Sequence, residues 1–284
     1  MHSGSAPRTS AAAQAPAVRQ RRKQQAWFLD FYGSAIGKKA VMAVTGIVLL
    51  GFVLVHMIGN LKLYYPDAER HLNEYGEWLR AFGEPALPHT GFLWIMRGAL
   101  ILSFVLHIHA AISLTLMNRQ ARPVKYQGGR SYAAADYAAR TMRWSGIIVG
   151  FYVLSPLADL TWGNATPEFI RGEPYNNLYY SFERVPVAIV YIVANLLLGL
   201  HIYHGAWSLF QSLGLANPRF NHWRRAFAVG LAAVIVVGNV SFPIAVLSGA
   251  IDEPEHITDE ARQLDGLPGA ASLSELVPGV ALHA

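Results

Sequence analysis

The sequence predicts an all-α integral membrane protein with five transmembrane helices in a bundle. Hydrophobic residues make up 53% of its 284 residues and charged residues only 14%, whereas soluble domains usually carry about 25% charged residues. The mean hydropathy is +0.26. Five apolar stretches are long enough to cross the bilayer, since a span takes about 20 helical residues. These stretches cover roughly 38–61, 92–117, 142–163, 185–210 and 224–249.

The distribution of charge between the spans predicts the orientation. Residues 1–39, 118–143 and 211–225 together hold sixteen Lys and Arg but only two acidic residues. The connections on the other side, 61–90 and 164–184, hold five basic and eight acidic residues, and the tail from 250 holds one and seven. Because basic loops stay on the cytoplasmic side, we expect a cytoplasmic N-terminus and an outside C-terminus.

The segments around the spans complete the predicted domain organisation. Residues 1–25 are typical of a disordered basic tail, residues 26–250 form the five-helix anchor, and residues 251–284 form an acidic tail. The stretch WFLDFYGSAIGKK from residue 27 is predicted to be an interfacial lead into the first span. A short amphipathic helix on the outer surface is predicted from the helical spacing of Leu72, Tyr75, Leu79 and Phe82.

Ionisable side chains inside spans are costly and typical of functional sites. In this chain they are His56, His107, His109, Asp159, His201 and His204. His109 lies eight residues before Met117 and His201 nine before Phe210, so both lie ~12–13 Å inside the same boundary at ~1.5 Å per residue. Two imidazoles at matched depth on different helices can hold one haem iron, so His109 and His201 are the predicted ligands. The alternative is that each histidine is a hydrogen-bonding strut between helices.

The remaining histidines have other predicted roles. His107 is two residues from His109 and points to a nearly opposite helix face, so it is either a strut or a cofactor contact. His204 shares a face with His201 and is a candidate contact for a haem propionate, a quinone or a partner subunit. His56 lies near the outer boundary, where span three offers no histidine at the same depth.

Hydrogen-bond donors for a quinone are predicted at two places. Near the cytoplasmic interface the candidates are Ser34, Lys38, Lys39, Arg143 and Trp144. Near the outer face they are Glu74, Glu77, Asp159 and His56. For the three basic residues the alternative is anchoring at the cytoplasmic membrane surface, and for Asp159 it is snorkelling or capping at the end of span three.

Four segments resemble the cytochrome b membrane anchor of succinate dehydrogenase, respiratory complex II, in its single-chain five-helix form. They are LVHMIGNL at 54–61, LHIHAAISL at 106–114, LADLTWG at 157–163 and HIYHGAWSLFQSLG at 201–214. The resemblance covers roughly residues 28–250. It implies a subunit of succinate:quinone oxidoreductase in the bacterial cytoplasmic membrane, with flavoprotein and iron–sulfur partners on the cytoplasmic face. Succinate chemistry would belong to the partners, and the anchor would pass electrons to a quinone, with menaquinone favoured.

The resemblance also implies b haems in the anchor. The inner haem maps onto His109 and His201, the pair that the depth argument selects. The outer haem requires His56 and a histidine of span three, and that position is Pro156 here, which has no ligand atom and predicts a kink. The expectation is therefore one b haem, with His56 serving an unusual outer haem, a quinone pocket or a structural role.

Three alternatives stay open at this point. A Rieske-type [2Fe–2S] cluster can replace the haem, and since the chain has no Cys, both thiolates would come from the iron–sulfur partner. A transporter or proton channel would use the intramembrane His and Asp residues as a relay and favours internal repeats, of which the sequence shows no convincing example. A structural anchor would use the histidines only to brace helices.

Overall fold

The computed structural model describes residues 27–121, 133–215 and 217–255, with the side chains of 133–140 and of residue 220 left undescribed. Every regular element in these ranges is helical. The predicted tails, 1–25 and 251–284, lie outside the described residues except for 251–255. The α-helices are α1 Trp27–Gly33, α2 Ala35–Asn60, α3 Ala68–Ala81, α4 Gly91–Gln120, α5 Ala133–Tyr152, α6 Leu154–Pro156, α7 Pro174–Glu183, α8 Val185–Ser212 and α9 Asn221–Leu247.

Five helical segments of the described chain are long and apolar enough to cross a membrane, which confirms the predicted all-α, five-span architecture. They are Ala35–Tyr64, Gly91–Gln120, Thr141–Thr161, Val185–Ser212 and Asn221–Leu247. Their ends lie within three residues of the predicted ones. Large apolar side chains of these segments are exposed, as for Phe151 (74%) and Val237 (69%). Such surfaces suit contact with lipid or with other membrane subunits.

Helix α2 packs against α4, α8 and α9, while α8 packs against both α5 and α9. Small residues permit these close approaches. A Cβ atom added at Gly199 of α8 would lie 2.2 Å from Val236 Cγ2, and one added at Gly238 of α9 would lie 2.4 Å from Met57 Sδ. Close backbone approach through small residues is a usual means of packing helices in membranes.

One end of the bundle is closed by a layer that we call the cap, formed by the turn Leu61–Tyr64, α3, α7 and residues 248–255. Its apolar side chains form the largest buried cluster of the described chain, which extends to Met57 and Phe242 of the spans. The predicted amphipathic helix is confirmed as α3. Its apolar face packs onto protein, because Leu72 is only 2% exposed within this cluster.

Two tyrosines of α7 tie residues 252–253 to the cap. The Tyr175 hydroxyl donates to the Asp252 carbonyl at 2.7 Å, and the Tyr180 hydroxyl donates to Glu253 Oε1 at 2.9 Å. Burial, followed by the nearby Asp252 charge, raises the pKa of Tyr175 to about 12. Burial and the hydrogen bond to Glu253 raise the pKa of Tyr180. Both phenols therefore remain protonated donors at physiological pH.

The opposite end of the bundle, which we call the α1 end, comprises α1, the last turns of α4 and α8 and the first turn of α9. Ser34 caps α2 by accepting from the Gly37 amide at 2.9 Å. Lys38 Nζ donates to the last carbonyls of α1, Tyr32 and Gly33, both at 3.0 Å. A Cβ at Gly37 would lie 1.9 Å from the Phe31 carbonyl oxygen, so the corner between α1 and α2 requires glycine.

Span three loses its regular α-helical form at the predicted place. Helix α5 ends at Tyr152, and Pro156 is followed by a π-helical turn at Leu157–Thr161. Asp159, in that turn, is only 5% exposed. Its carboxylate accepts from Arg184 Nη2 at 2.6 Å and from the hydroxyls of Thr166 and Ser181.

The ion pair between Asp159 and Arg184 joins span three to the start of α8. Arg184 also donates to the Ala165 carbonyl at 2.6 Å and to Thr166 Oγ1 at 2.9 Å. A buried carboxylate is costly unless it is both paired and hydrogen-bonded, and here every partner comes from the cap side of the bundle. The Asp159 carboxylate therefore accepts from three protein donors, which offset the cost of burying it.

We predict that Arg184→Gln lowers the free energy of unfolding by about 2–3 kcal/mol, because the buried Asp159 charge loses its cation. The control is Arg70→Gln, which breaks exposed pairs with Asp67 and Glu74. Thermal unfolding in detergent should show a lower Tm for Arg184→Gln and no change for Arg70→Gln. Equal Tm values in the two variants would contradict the assignment.

Candidate functional site

Two of the ionisable side chains predicted inside spans meet in the structure, and they are His107 of α4 and His201 of α8. Their ring centroids are 6.5 Å apart and their planes are inclined at 68°. Helix α4 packs mainly along α2, and α8 along α5 and α9, so the rings project from two different groups of helices. His107 lies thirteen residues before Gln120, about 20 Å from that end of its helix at 1.5 Å per residue.

The His107 ring is held by the neighbouring helix α2. Its Nδ1 lies 3.1 Å from the Met42 carbonyl oxygen and 3.2 Å from Thr45 Oγ1. Thr45 donates its own hydroxyl proton to the Val41 carbonyl at 2.7 Å. Since a carbonyl only accepts hydrogen bonds, Nδ1 carries the ring proton, and Nε2 of the neutral ring keeps its lone pair.

The His201 ring lies against α5. Its Nδ1 lies 3.5 Å from Ser145 Oγ, which is a long contact. Ser145 donates to the Met142 carbonyl at 3.1 Å and is 2% exposed. The contact with α5 is therefore made through Nδ1, as in His107, and Nε2 of His201 makes no hydrogen bond to the described residues.

A glycine beside each ring leaves room for the imidazole. A Cβ at Gly46 of α2 would lie 3.3 Å from His107 Cε1, and a Cβ at Gly146 of α5 would lie 3.1 Å from His201 Cε1. Both distances are shorter than ordinary van der Waals contact, so a side chain at either position would push the ring away. The two rings are thus set against the backbones of their neighbouring helices.

These supports share a short pattern that sequence inspection missed. Residues 42–46 read MAVTG and residues 142–146 read MRWSG, so a methionine carbonyl, a hydroxyl side chain and a glycine occur at the same spacing. In α2 the carbonyl, the hydroxyl and the glycine all lie beside His107, and in α5 the hydroxyl and the glycine lie beside His201. The pattern M-x-x-[ST]-G is too short to stand out as a repeat, but together with the intramembrane histidines it would have indicated the pair.

The two histidines form a suitable donor set for one metal between them. All hydrogen bonds that the described residues make to these rings use Nδ1, so both Nε2 atoms remain available. Metal-bound histidines almost always donate their other ring N–H to a carbonyl or similar acceptor, as here. Among the described residues, no group of three or more His, Asp or Glu side chains is placed to hold a metal ion. Two imidazoles are a ligand set by which proteins hold a haem iron, and His107 and His201 are the residues that would hold one here.

His109 lies apart from this pair and contacts helix α1. Its Nδ1 is 2.5 Å from the Tyr32 hydroxyl, and the two rings are stacked with centroids 5.7 Å apart. The structure therefore brings His107, and not the predicted His109, to His201. Depth in the membrane does not distinguish His107 from His109, because residues two apart in a helix differ by only ~3 Å in depth. They differ by about 200° around the helix, and the helix face decides which ring meets α8.

The other two predicted histidines lie on either side of the central pair. His204, one turn from His201, places Nε2 3.3 Å from Thr141 Oγ1 of α5, so both histidines face the same helix as predicted. His56 lies four residues before the end of α2, close to the cap, and its ring stacks on Phe52 with centroids 5.2 Å apart. It is ten residues from Gly46, about 15 Å along the helix, so it cannot share a metal with His107.

The residues predicted to bind a quinone near the cytoplasmic interface fall into two groups. Ser34 and Lys38 are engaged in the α1–α2 corner described above. The second group consists of Lys39, Arg143 and Trp144, which are exposed. Among the outer candidates, Asp159 accepts from Thr166, Ser181 and Arg184. The Tyr32–His109 pair, which sequence inspection missed, lies at the α1 end, and Lys38 Nζ is 5.2 Å from the Tyr32 ring centroid.

Comparison of this chain with models of known protein families, with curated protein sequences and with solved structures finds no match.

We predict that alanine at Gly146 and Gly46 stabilises the protein less than alanine at Gly150 and Gly51. Replacing a helical glycine by alanine gains about 0.5–1 kcal/mol, and nothing lies within 4 Å of a Cβ at Gly150 or Gly51. At the other two sites the new methyl group meets an imidazole, so the gain is lost. Thermal unfolding of the four variants tests this, and equal gains would mean that the rings are not held against α2 and α5.

Proposed function

We propose that this chain is the membrane anchor of a succinate:quinone oxidoreductase, carrying electrons from a partner iron–sulfur subunit to membrane quinone through a centre between His107 and His201. The observation that supports this best is the pair itself, which consists of two imidazoles from different spans whose Nδ1 atoms contact the neighbouring helices. The five spans and the four segments that resemble succinate dehydrogenase anchors point in the same direction.

The centre is proposed to be a b haem, with His107 replacing His109 as the partner of His201. When bound, a haem supplies a one-electron carrier between the partner's clusters and the quinone. The chain's own part is to hold both Nε2 lone pairs in place. The Met42 carbonyl orients the His107 ring, Ser145 contacts the His201 ring, and the glycines at 46 and 146 leave room for the two rings.

The Tyr32–His109 pair is the place in the chain best suited to quinone reduction. Reducing one quinone to a quinol takes two electrons and two protons, and a phenol beside an imidazole can deliver protons to a carbonyl oxygen. His109 is exposed and two residues from His107, so a quinone at this pair would be close to the electron carrier. Lys39, Arg143 and Trp144 remain candidates for contacts at the rim of such a site.

The proposed orientation places the α1 end in the cytoplasm of a bacterium and the cap outside. Its support is the excess of basic residues in 1–39, 118–143 and 211–225, which the cytoplasmic side retains. The flavoprotein and iron–sulfur partners would then dock on the α1 end, next to Tyr32 and His109. Electrons would enter and leave on this same side, so the reaction through the inner centre needs no transfer across the whole bilayer.

The Rieske-type cluster is the second candidate, because Nδ1-anchored histidines suit it equally well. The depth of the pair argues against it. His107 lies ten residues inside the predicted boundary at 117, about 15 Å, and the partner's two thiolates would have to reach that depth. A haem needs no such insertion. The proton-channel and purely structural alternatives predict a colourless protein.

We predict that the purified complex binds close to one b haem per anchor, and that His107→Ala and His201→Ala abolish it. His109→Ala and His204→Ala are matched controls on the same two helices and should retain the haem. Pyridine haemochrome assays give the stoichiometry, and added imidazole should restore part of the spectrum in the two deficient variants because each leaves one ligand position open.

The outcomes distinguish the alternatives. Loss of haem in His109→Ala with retention in His107→Ala would restore the ligand pair predicted from the sequence. Two haems per anchor would mean that His56 and another protein ligand bind a second, outer haem. A wild-type complex that reduces quinone but gives no haem absorption would reject the haem and lead to a search for a Rieske-type [2Fe–2S] signal by electron paramagnetic resonance.

A further inference from the structure

Arg224 is a buried cation at the corner between α8 and α9. It lies in the first turn of α9 and is only 5% exposed. Its Nη1 donates to Asn221 Oδ1 at 2.9 Å, and its Nη2 makes a long contact of 3.4 Å with the Trp207 carbonyl. Its Nε is buried without a hydrogen bond. Among the described residues no carboxylate pairs with it, and a buried cation without an anionic partner is costly.

Arg224 forms one wall of a cavity of about 320 Å³ at this corner. The rest of the lining is apolar and consists of Phe210, Leu215, Trp223 and Phe227. Trp223 and Leu215 are 67% and 62% exposed, so the cavity opens to the surroundings. A cationic wall facing aromatic and aliphatic walls selects for a molecule with an anionic group joined to an apolar part.

The position of the cavity relative to the spans further restricts the class of ligand that it can bind. It lies where the spans Val185–Ser212 and Asn221–Leu247 end and begin, which is the level of the lipid headgroups. The segment 211–225 contains Arg219, Arg224 and Arg225 and no acidic residue. Basic clusters next to a span favour the binding of anionic lipids. The first turn of a long helix also carries partial positive charge from the helix dipole, which attracts an anion.

We propose that this cavity binds an anionic phospholipid. The phosphate group pairs with the Arg224 guanidinium, and the glycerol and the first carbons of one acyl chain contact Phe210 and Phe227. The lipid would bridge α8 and α9 at the α1 end. The proposal is independent of the redox centre, because it needs only a membrane protein with this corner.

The test is titration of the detergent-purified full complex with dioleoylphosphatidylglycerol, followed by native mass spectrometry. We expect Arg224→Gln to weaken the tightest binding event at least tenfold. Arg225→Gln is the matched control, since it removes an exposed neighbouring charge of the same helix, and we expect less than a threefold change. Arg224→Lys, which keeps the charge, should keep part of the affinity and guards against misfolding of the glutamine variant.

Two further probes identify the ligand class. Dioleoylphosphatidylcholine should bind clearly more weakly than dioleoylphosphatidylglycerol, and inorganic phosphate alone should not raise the Tm of the wild type. Equal binding of both lipids, or equal binding by wild type and Arg224→Gln in protein that remains folded by circular dichroism, would overturn the proposal. Full stabilisation by inorganic phosphate would replace the lipid site with a simple anion site.

Discussion

The architecture depends on one constraint, which is that polar groups within the hydrocarbon must find their partners inside the protein. His107 meets it through a carbonyl and a hydroxyl of α2, and His201 through a hydroxyl of α5. Asp159 meets it through Arg184 and two hydroxyls, in a turn where the α-helix of span three has already ended. The hydrogen bonds that satisfy these groups also hold their side chains in place. Polar residues in the spans are costly in free energy, and those that are present are well ordered for the same reason.

The two ends of the bundle differ in how much apolar surface they bury. The cap buries the largest apolar cluster of the described chain and connects α3, α7 and residues 248–255 by hydrogen bonds. The α1 end carries the exposed His109, the short helix α1 and the cavity beside Arg224. The main apolar cluster is thus at the cap, whereas the exposed imidazole and the cavity are at the α1 end.

Much of the fold follows from the sequence, because the spans depend on length and composition, which are local properties. The number and the ends of the spans, the helix α3 and the break at Pro156 were all predictable in this way. The choice between His107 and His109 was not, because it depends on the rotation of α4 relative to α2 and α8. The partners of Asp159 were equally hidden, since Thr166, Ser181 and Arg184 lie 7, 22 and 25 residues away. Tyr32 reaches His109 across 77 residues.

The duplicated support of the central histidines has a consequence for biogenesis. Spans one and two provide one ring with its carbonyl and glycine, and spans three and four provide the other. The first half therefore enters the membrane with only one imidazole of the pair, and the site is complete only after the fourth span has been inserted and packed. A prosthetic group that binds both rings would then join the two halves only at the end of insertion. It would stabilise the folded state only of chains whose first four spans are all in place.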